Sequence, residues 1–271
     1  MKIAIITGAS SGIGREFALR ISEKYSLDEI WLIARRKEKL ENVAQQINTK
    51  TNIIPLDLTQ SDSFDILRKK LTESSPSVEV LVNCAGLGKI GTFESQSIKD
   101  IEDMVNLNIR ATTVVTKISL DYMHKGSAVI NMSSVSGFLP LPYMNIYAAS
   151  KAYVLRFSQA LAKELENKGI SVTAVCPYWV ASEFFSVAQN TVDSDSVNNF
   201  RFVTYPYSVV NRALESVKCK KIVAMCGIIP TVIKVAAAVL PFNIKMKLWE
   251  KTRRLNTSQC NQQCPEQWQL Q

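Results

Sequence analysis

Seven short apolar runs punctuate the chain: "KIAII" (2–6), "EIWLI" (29–33), "NIIPL" (52–56), "VEVLVN" (78–83), "SAVINM" (127–132), "SVTAVC" (171–176) and "KIVAM" (221–225). They are apolar throughout rather than alternating, so they predict strands buried on both faces. Between them lie helix-length segments with apolar residues at three- and four-residue spacings, such as Val154, Leu155, Phe157, Leu161 and Leu165. Strands and helices in alternation predict an α/β fold: a single doubly wound Rossmann-type domain, with a seven-stranded, mainly parallel sheet covered by helices on both faces. No linker rich in glycine, proline or serine divides it, and there is no internal repeat. A ligand belongs beyond the carboxyl ends of the strands, where the winding reverses.

With 271 residues, 46% of them hydrophobic, the chain can bury a large core. It has no uninterrupted run of ~18 apolar residues, which argues against a spanning helix. The opening "MKIAIITGAS" ends in a glycine turn too soon for a signal peptide and reads as a first strand. Cys84, Cys176, Cys219 and Cys226 lack metal-ligand spacing and read as buried thiols of a reducing, cytoplasmic protein. Cys260 and Cys264 fall in a polar, flexible tail (255–271), and two cysteines alone make no metal site. The balance of 32 basic and 24 acidic residues gives +8, yet the only concentrated basic stretch is "KMKLWEKTRR" (245–254), so nucleic acid is not an expected partner.

Chemistry is concentrated in two places. The first strand runs into "TGASSGIG", whose Gly8, Gly12 and Gly14 permit backbone amides to approach a pyrophosphate at a helix N-terminus. Further on, "YAASK" sets Tyr147 and Lys151 one helical turn apart. A cation ~5 Å from a phenolate, at an effective dielectric of ~20, favours the ionised form by roughly 3 kcal/mol. That predicts a tyrosine usable near pH ~8 rather than its ordinary value of ~10.

Together these motifs resemble the short-chain dehydrogenase/reductase family over roughly residues 2–230. The glycine turn spans Thr7–Gly14, and Asp57 of "LDLT" follows the third strand. "NCAG" (83–86) follows the fourth, with Cys84 in place of the family's second asparagine; Asn108 lies in "NLNIRA", and Ser134 precedes Tyr147 by thirteen positions. The resemblance implies hydride transfer between NADP(H) and a carbonyl or secondary alcohol, with Asn108, Ser134, Tyr147 and Lys151 catalytic. Ser134 would donate to the substrate oxygen, Tyr147 would transfer the proton, and Asn108 would hold a water leading from Lys151 to solvent. It implies cofactor contacts from Gly8, Ser10, Ser11, Gly12, Ile13, Gly14, Asp57, Leu58, Asn83, Ala85, Gly86, Tyr147 and Lys151, and from Pro177, Val180 and Ser182 of "CPYWVAS", where Tyr178 departs from the family's glycine. The second strand ends in Ala34, not an acid, followed by Arg35 and Arg36; a neutral floor with two guanidinium groups favours NADP(H), with Arg35 the principal phosphate ligand.

Apolar "GFLPLPYMNI" (137–146) and a lid at 183–206 carrying Phe184 and Phe185 suggest an apolar, steroid-like or acyl-chain substrate. A weaker likeness to the 17β-hydroxysteroid dehydrogenase and 3-ketoacyl reductase branch points the same way. The domain is expected to span 1–254, with 228–254 as an apolar and basic extension. Because Pro230, Lys234 and Pro241 interrupt that extension, a packed helix, lid or subunit contact is favoured over membrane association. The family implies a homodimer or homotetramer, paired through the helices near 100–122 and 148–167. A non-catalytic nicotinamide-binding sensor or scaffold and a peripheral membrane protein are the alternatives; scaffolds of this kind commonly lose the tyrosine or lysine, and this chain keeps both.

Overall fold

The computed structural model describes residues 1–254 of the 271, so the expected tail with Cys260 and Cys264 lies outside the described residues. In chain order the strands are β1 (Lys2–Thr7), β2 (Glu29–Ala34), β3 (Thr51–Pro55), β4 (Ser77–Asn83), β5 (Ala128–Met132), β6 (Ser171–Cys176) and β7 (Val223–Met225). The helices are α1 (Gly12–Arg20), α2 (Lys37–Ala44), α3 (Asp62–Ser74), α4 (Ile98–Val105), α5 (Thr112–Leu120), α6 (Asn145–Glu164), α7 (Phe184–Gln189), α8 (Pro206–Lys218), α9 (Ile228–Val239) and α10 (Phe242–Thr252).

One sheet contains all seven strands in the order β3-β2-β1-β4-β5-β6-β7. Every neighbouring pair is parallel, so the sheet is wholly rather than mainly parallel. Alternate residues serve opposite layers, which is why the strands are apolar throughout. Ala4 and Ile6, with Ile30 and Leu32, meet Phe17, Leu40 and Val210 from α1, α2 and α8. Ile3 and Ile5, with Trp31 and Ile33, meet Leu67, Val115 and Leu161 from α3, α5 and α6. Burying each such large side chain contributes about 1.5–3 kcal/mol.

A third, smaller core sits beyond the strands' carboxyl ends. Ile90, Leu141, Met144, Ala148, Ala188 and Val197 are buried there, with Tyr147, Trp179, Phe184, Phe200 and Trp249 packed around them. It joins α6 to α7, to the loop up to α8 and to α10, and thereby roofs the region where the winding reverses between β1 and β4.

Candidate active site

Local sequence explains how the cleft is shaped. At its floor β1 gives way to α1 through a turn in which Gly14 presses on Gly8: a Cβ on Gly14 would lie 2.2 Å from the Gly8 carbonyl oxygen. Ser11, in extended backbone before α1, makes no side-chain cap, and no acid occupies the first turn. The opening amides and the positive end of the helix dipole are thus left for an anion. Thr7 fixes the facing wall: its Oγ1 accepts from the amides of Cys84 (3.0 Å) and Ala85 (3.1 Å).

The proton-transfer groups stand on the other side. Ser134 ends the loop after β5, and its Oγ accepts from the Ser136 amide at 3.2 Å, a bond that does not use its hydrogen. Ser133 Oγ donates to the Lys151 carbonyl (2.8 Å), tying that loop to α6. Lys151 Nζ donates to the Met132 carbonyl (2.9 Å) and lies 5.6 Å from the centre of the Tyr147 ring. Gly86 opposes it: a Cβ there would be 3.2 Å from Asn108 Oδ1 and 3.3 Å from Lys151 Nζ.

Electrostatics correct the expectation of a lowered tyrosine. Burial pushes the Tyr147 phenol up to about 12, against a smaller opposing pull from the hydroxyls of Ser134 and Ser136. Burial also draws Lys151 down, to about 8. The lysine does not dominate because both groups lie out of water and its ammonium is directed at a carbonyl; desolvation disfavours each charged form. At neutral pH the phenol is therefore protonated.

Ser10, Ser11, Gly12, Ile13, Gly14, Arg35, Arg36, Asp57, Leu58, Ala85, Gly86, Ser134, Tyr147, Lys151, Pro177, Val180 and Ser182 all line one cavity of about 510 Å³, with Gly8 at its base. Its far end is apolar, walled by residues such as Leu139, Met144, Phe185, Ala236, Leu240 and Trp249. The residues present fit a dinucleotide: uncapped amides at α1 for the pyrophosphate, and a neutral Ala34 beside two arginines where an acid would repel a 2′-phosphate. Asp57 Oδ1 is held by the Thr59 amide (3.0 Å) and hydroxyl (2.8 Å).

Known proteins resemble this chain in sequence and in fold. A short chain dehydrogenase profile matches residues 2–193. The chain belongs to the short chain dehydrogenase family. It is 33% identical over 178 residues to an uncharacterized oxidoreductase of Staphylococcus epidermidis, covering 65% of this chain and 76% of that one. It is also 33% identical over 207 residues to the very-long-chain 3-oxoacyl-CoA reductase of Mus musculus, covering 73% of this chain but only 65% of that reductase. Among solved structures, a short-chain dehydrogenase from Sphingobium yanoikuyae in complex with NADPH superimposes with a TM-score of 0.74 at 27% identity, covering 96% of this chain and all of that one.

Two predicted residues of this dehydrogenase have side chains occupied elsewhere. Asn83 is buried, and its Nδ2 donates to Thr116 Oγ1 and Asn131 Oδ1, both at 2.8 Å; it ties β4 to α5 and β5 rather than lining the cavity. Asn108 sits in a π-helical turn (Asn106–Ala111) between α4 and α5, a distortion frequent at functional sites. Its Oδ1 accepts from the Leu87 amide (2.8 Å), and its Nδ2 donates to the Leu87 carbonyl (2.7 Å) and to Ser150 (2.9 Å). The side chain braces the wall facing Lys151, and Oδ1 keeps a second lone pair beyond the bond from Leu87. Of the cysteines, Cys176 and Cys226 are buried as expected, whereas Cys84 is half-buried and Cys219 exposed at the end of α8.

Sequence reasoning did not identify Glu183. Its carboxylate pairs with Arg36 (2.8 Å) and with Lys39, while Arg36 also donates to Ser10 and Ser11 at 3.1 Å each. These contacts clasp the start of the 183–206 segment to the glycine turn and lower the Glu183 pKa against the opposing effect of burial, the largest single influence on it. Arg35 stands further out, two-thirds exposed and 4.0 Å from Asp57. Phe184, next along, packs on Tyr147 with ring centres 5.4 Å apart.

Proposed function

We propose that this chain is an NADP(H)-dependent reductase and dehydrogenase that interconverts an apolar carbonyl compound and its secondary alcohol. The observation that carries the reading is a single cavity joining three features: an uncapped helix N-terminus flanked by arginines, a buried Ser134–Tyr147–Lys151 wall, and an apolar far end. NADP(H), when bound, supplies or receives the hydride. The α1 turn would hold its pyrophosphate, Asp57 its adenine, and Arg35 with Arg36 its 2′-phosphate.

Ser134 donates its hydroxyl hydrogen to the substrate oxygen and holds it beside the phenol. Tyr147, neutral at pH 7, gives that oxygen a proton during reduction and becomes a phenolate; oxidation is the reverse step, in which that phenolate takes the proton from the alcohol. Lys151 offsets charge on the phenolate left behind, which in that low-dielectric wall is a larger effect than at a surface. Residues 183–206 close the roof with Phe184 and Phe185 and keep water from the phenol. An acyl-chain or steroid-like ketone suits the apolar end, and the very-long-chain 3-oxoacyl-CoA substrate in the mouse reductase's name supports the acyl alternative.

Purified protein with NADPH or NADH and a panel of long-chain 3-oxoacyl thioesters, ketosteroids and small polar ketones tests this at the nicotinamide absorbance. Turnover of apolar ketones with NADPH is expected. A preference for small polar ketones refutes the substrate class, and cofactor binding without turnover of any compound identifies a sensor or scaffold instead.

A further inference from the structure

We infer that the outer face of α9 and α10 docks on an anionic lipid bilayer. Ile228, Val232, Val235 and Val239 recur at intervals of four, three and four residues, so they form one stripe along α9. All four are exposed, Ile228 at 83% and Val239 at 71%. Phe242, Ile244 and Leu248 continue the exposed apolar surface onto α10. This is more than a lone surface hydrophobe: seven exposed apolar side chains fall on two successive helices. The sequence expectation of a packed segment thus holds for one side of these helices only. Ile233, Ala236, Ala237 and Leu240 turn inward and line the cavity, and Trp249 Nε1 anchors α10 to the Pro142 carbonyl at 3.2 Å.

Charge selects the occupant. Residues 228–254 carry six basic side chains and a single acid, Glu250, which is already paired with Arg253 at 2.7 Å. Lys247, Lys251 and Arg254 of this segment are exposed as well. A second copy placed symmetrically on this face would set these cations against their own counterparts, whereas an anionic headgroup layer complements them. Helices of 12 and 11 residues are too short to cross a bilayer, and none among the described residues is long and apolar enough to do so. An apolar face rimmed by lysine suits a helix lying in the headgroup plane. So docked, the apolar end of the cavity faces the lipid from which an apolar substrate would arrive. That purpose rests on the proposed substrate class; the binding does not.

Flotation of the full chain with phosphatidylcholine vesicles, with and without ~30% phosphatidylserine, tests the inference without any turnover. Binding to the anionic vesicles should exceed binding to the neutral ones by at least roughly tenfold and weaken with salt, since each basic residue near such a surface contributes about fivefold. Val232→Asp with Val235→Asp should abolish it, and Lys247→Glu with Lys251→Glu should weaken it at least ~10-fold. Because these residues lie on the outer surface, both variants should keep the parent's melting temperature and NADPH affinity. Failure of the parent to float with anionic vesicles, equal binding to both compositions, or folded variants that bind like the parent overturns the inference. A parent dimer that Val232→Asp with Val235→Asp turns into a monomer, with no vesicle binding, overturns it in favour of a subunit contact.

Discussion

Gly137→Ala should separate the positioning of Ser134 from the binding of cofactor. Gly137 lies in the short helical turn Val135–Phe138 that follows Ser134, and it rests directly on the backbone of α6. An added Cβ would stand 2.8 Å from the Lys151 carbonyl oxygen, 3.0 Å from its carbon and 3.2 Å from the Ala152 nitrogen. Carbon–oxygen contacts of this kind normally settle at about 3.3–3.6 Å, so turn and helix must separate by roughly 0.5–0.8 Å. Backbone atoms cannot swing aside as a flexible side chain would. Overpacking of this sort costs about 1–3 kcal/mol, which for a protein of this size lowers Tm by roughly 2–12 °C. The separation also moves Ser134 away from Tyr147 and stretches the Ser133 bond to the same carbonyl. A displacement of ~1 Å at a reacting centre can cost 10²-fold, so kcat should fall by about tenfold or more. Gly137 does not touch the α1 turn, and the Kd for NADPH should stay within about threefold of the parent's. Calorimetry, fluorescence titration and steady-state rates measure the three quantities. A variant with parental Tm and kcat refutes the contact; one that loses Tm but keeps kcat refutes the positioning of Ser134.

Tyr147→Phe should keep NADPH affinity and lose at least ~10²-fold in kcat, the scale of a missing acid or base; parental turnover would assign the proton to another group. Arg35→Ala should lower the NADPH-to-NADH ratio of kcat/KM by about 10- to 100-fold through loss of a charge-assisted bond, and an unchanged ratio, or a parent that prefers NADH, refutes the assignment. Lys151 titrates near 8 when folded and near its ordinary 10.5 when unfolded. Between those values the unfolded chain therefore binds the extra proton and folding gains stability as pH rises. Denaturant titrations from pH 7 to 10.5 should show the parent gaining up to about 3 kcal/mol relative to Lys151→Met; a flat difference would mean the ammonium is not desolvated.

Features set by local pattern were legible in the sequence. Runs such as "EIWLI" announce doubly buried strands because a parallel sheet covered on both sides has no polar face, and the Ser134, Tyr147 and Lys151 spacing follows from one loop and one helical turn. Features set by tertiary contact were not. The Glu183 clasp joins residues 144 positions apart from Lys39, so no local signal announces it. The rise of the Tyr147 pKa depends on burial, to which the YxxxK spacing is blind. For Asn83 and Asn108, whether an amide faces a cavity or braces a wall depends on neighbours that only the fold supplies. Along 228–254 the apolar spacing was visible while the side left uncovered was not.

The roof over the site has a small core of its own. Among the described residues, six buried hydrophobic ones form its core, against 24 and 21 in the two layers that sandwich the sheet, and it shares none of them. A small core with few partners opens at lower cost than a large one, and substitutions at well-separated, independent sites add without penalty to one another. Changes at Leu141, Ala188 or Val197 therefore draw on this small core and leave the two larger cores of the sheet intact. Under the proposed function, the chamber for the substrate could drift while the packing beneath the glycine turn is inherited unchanged.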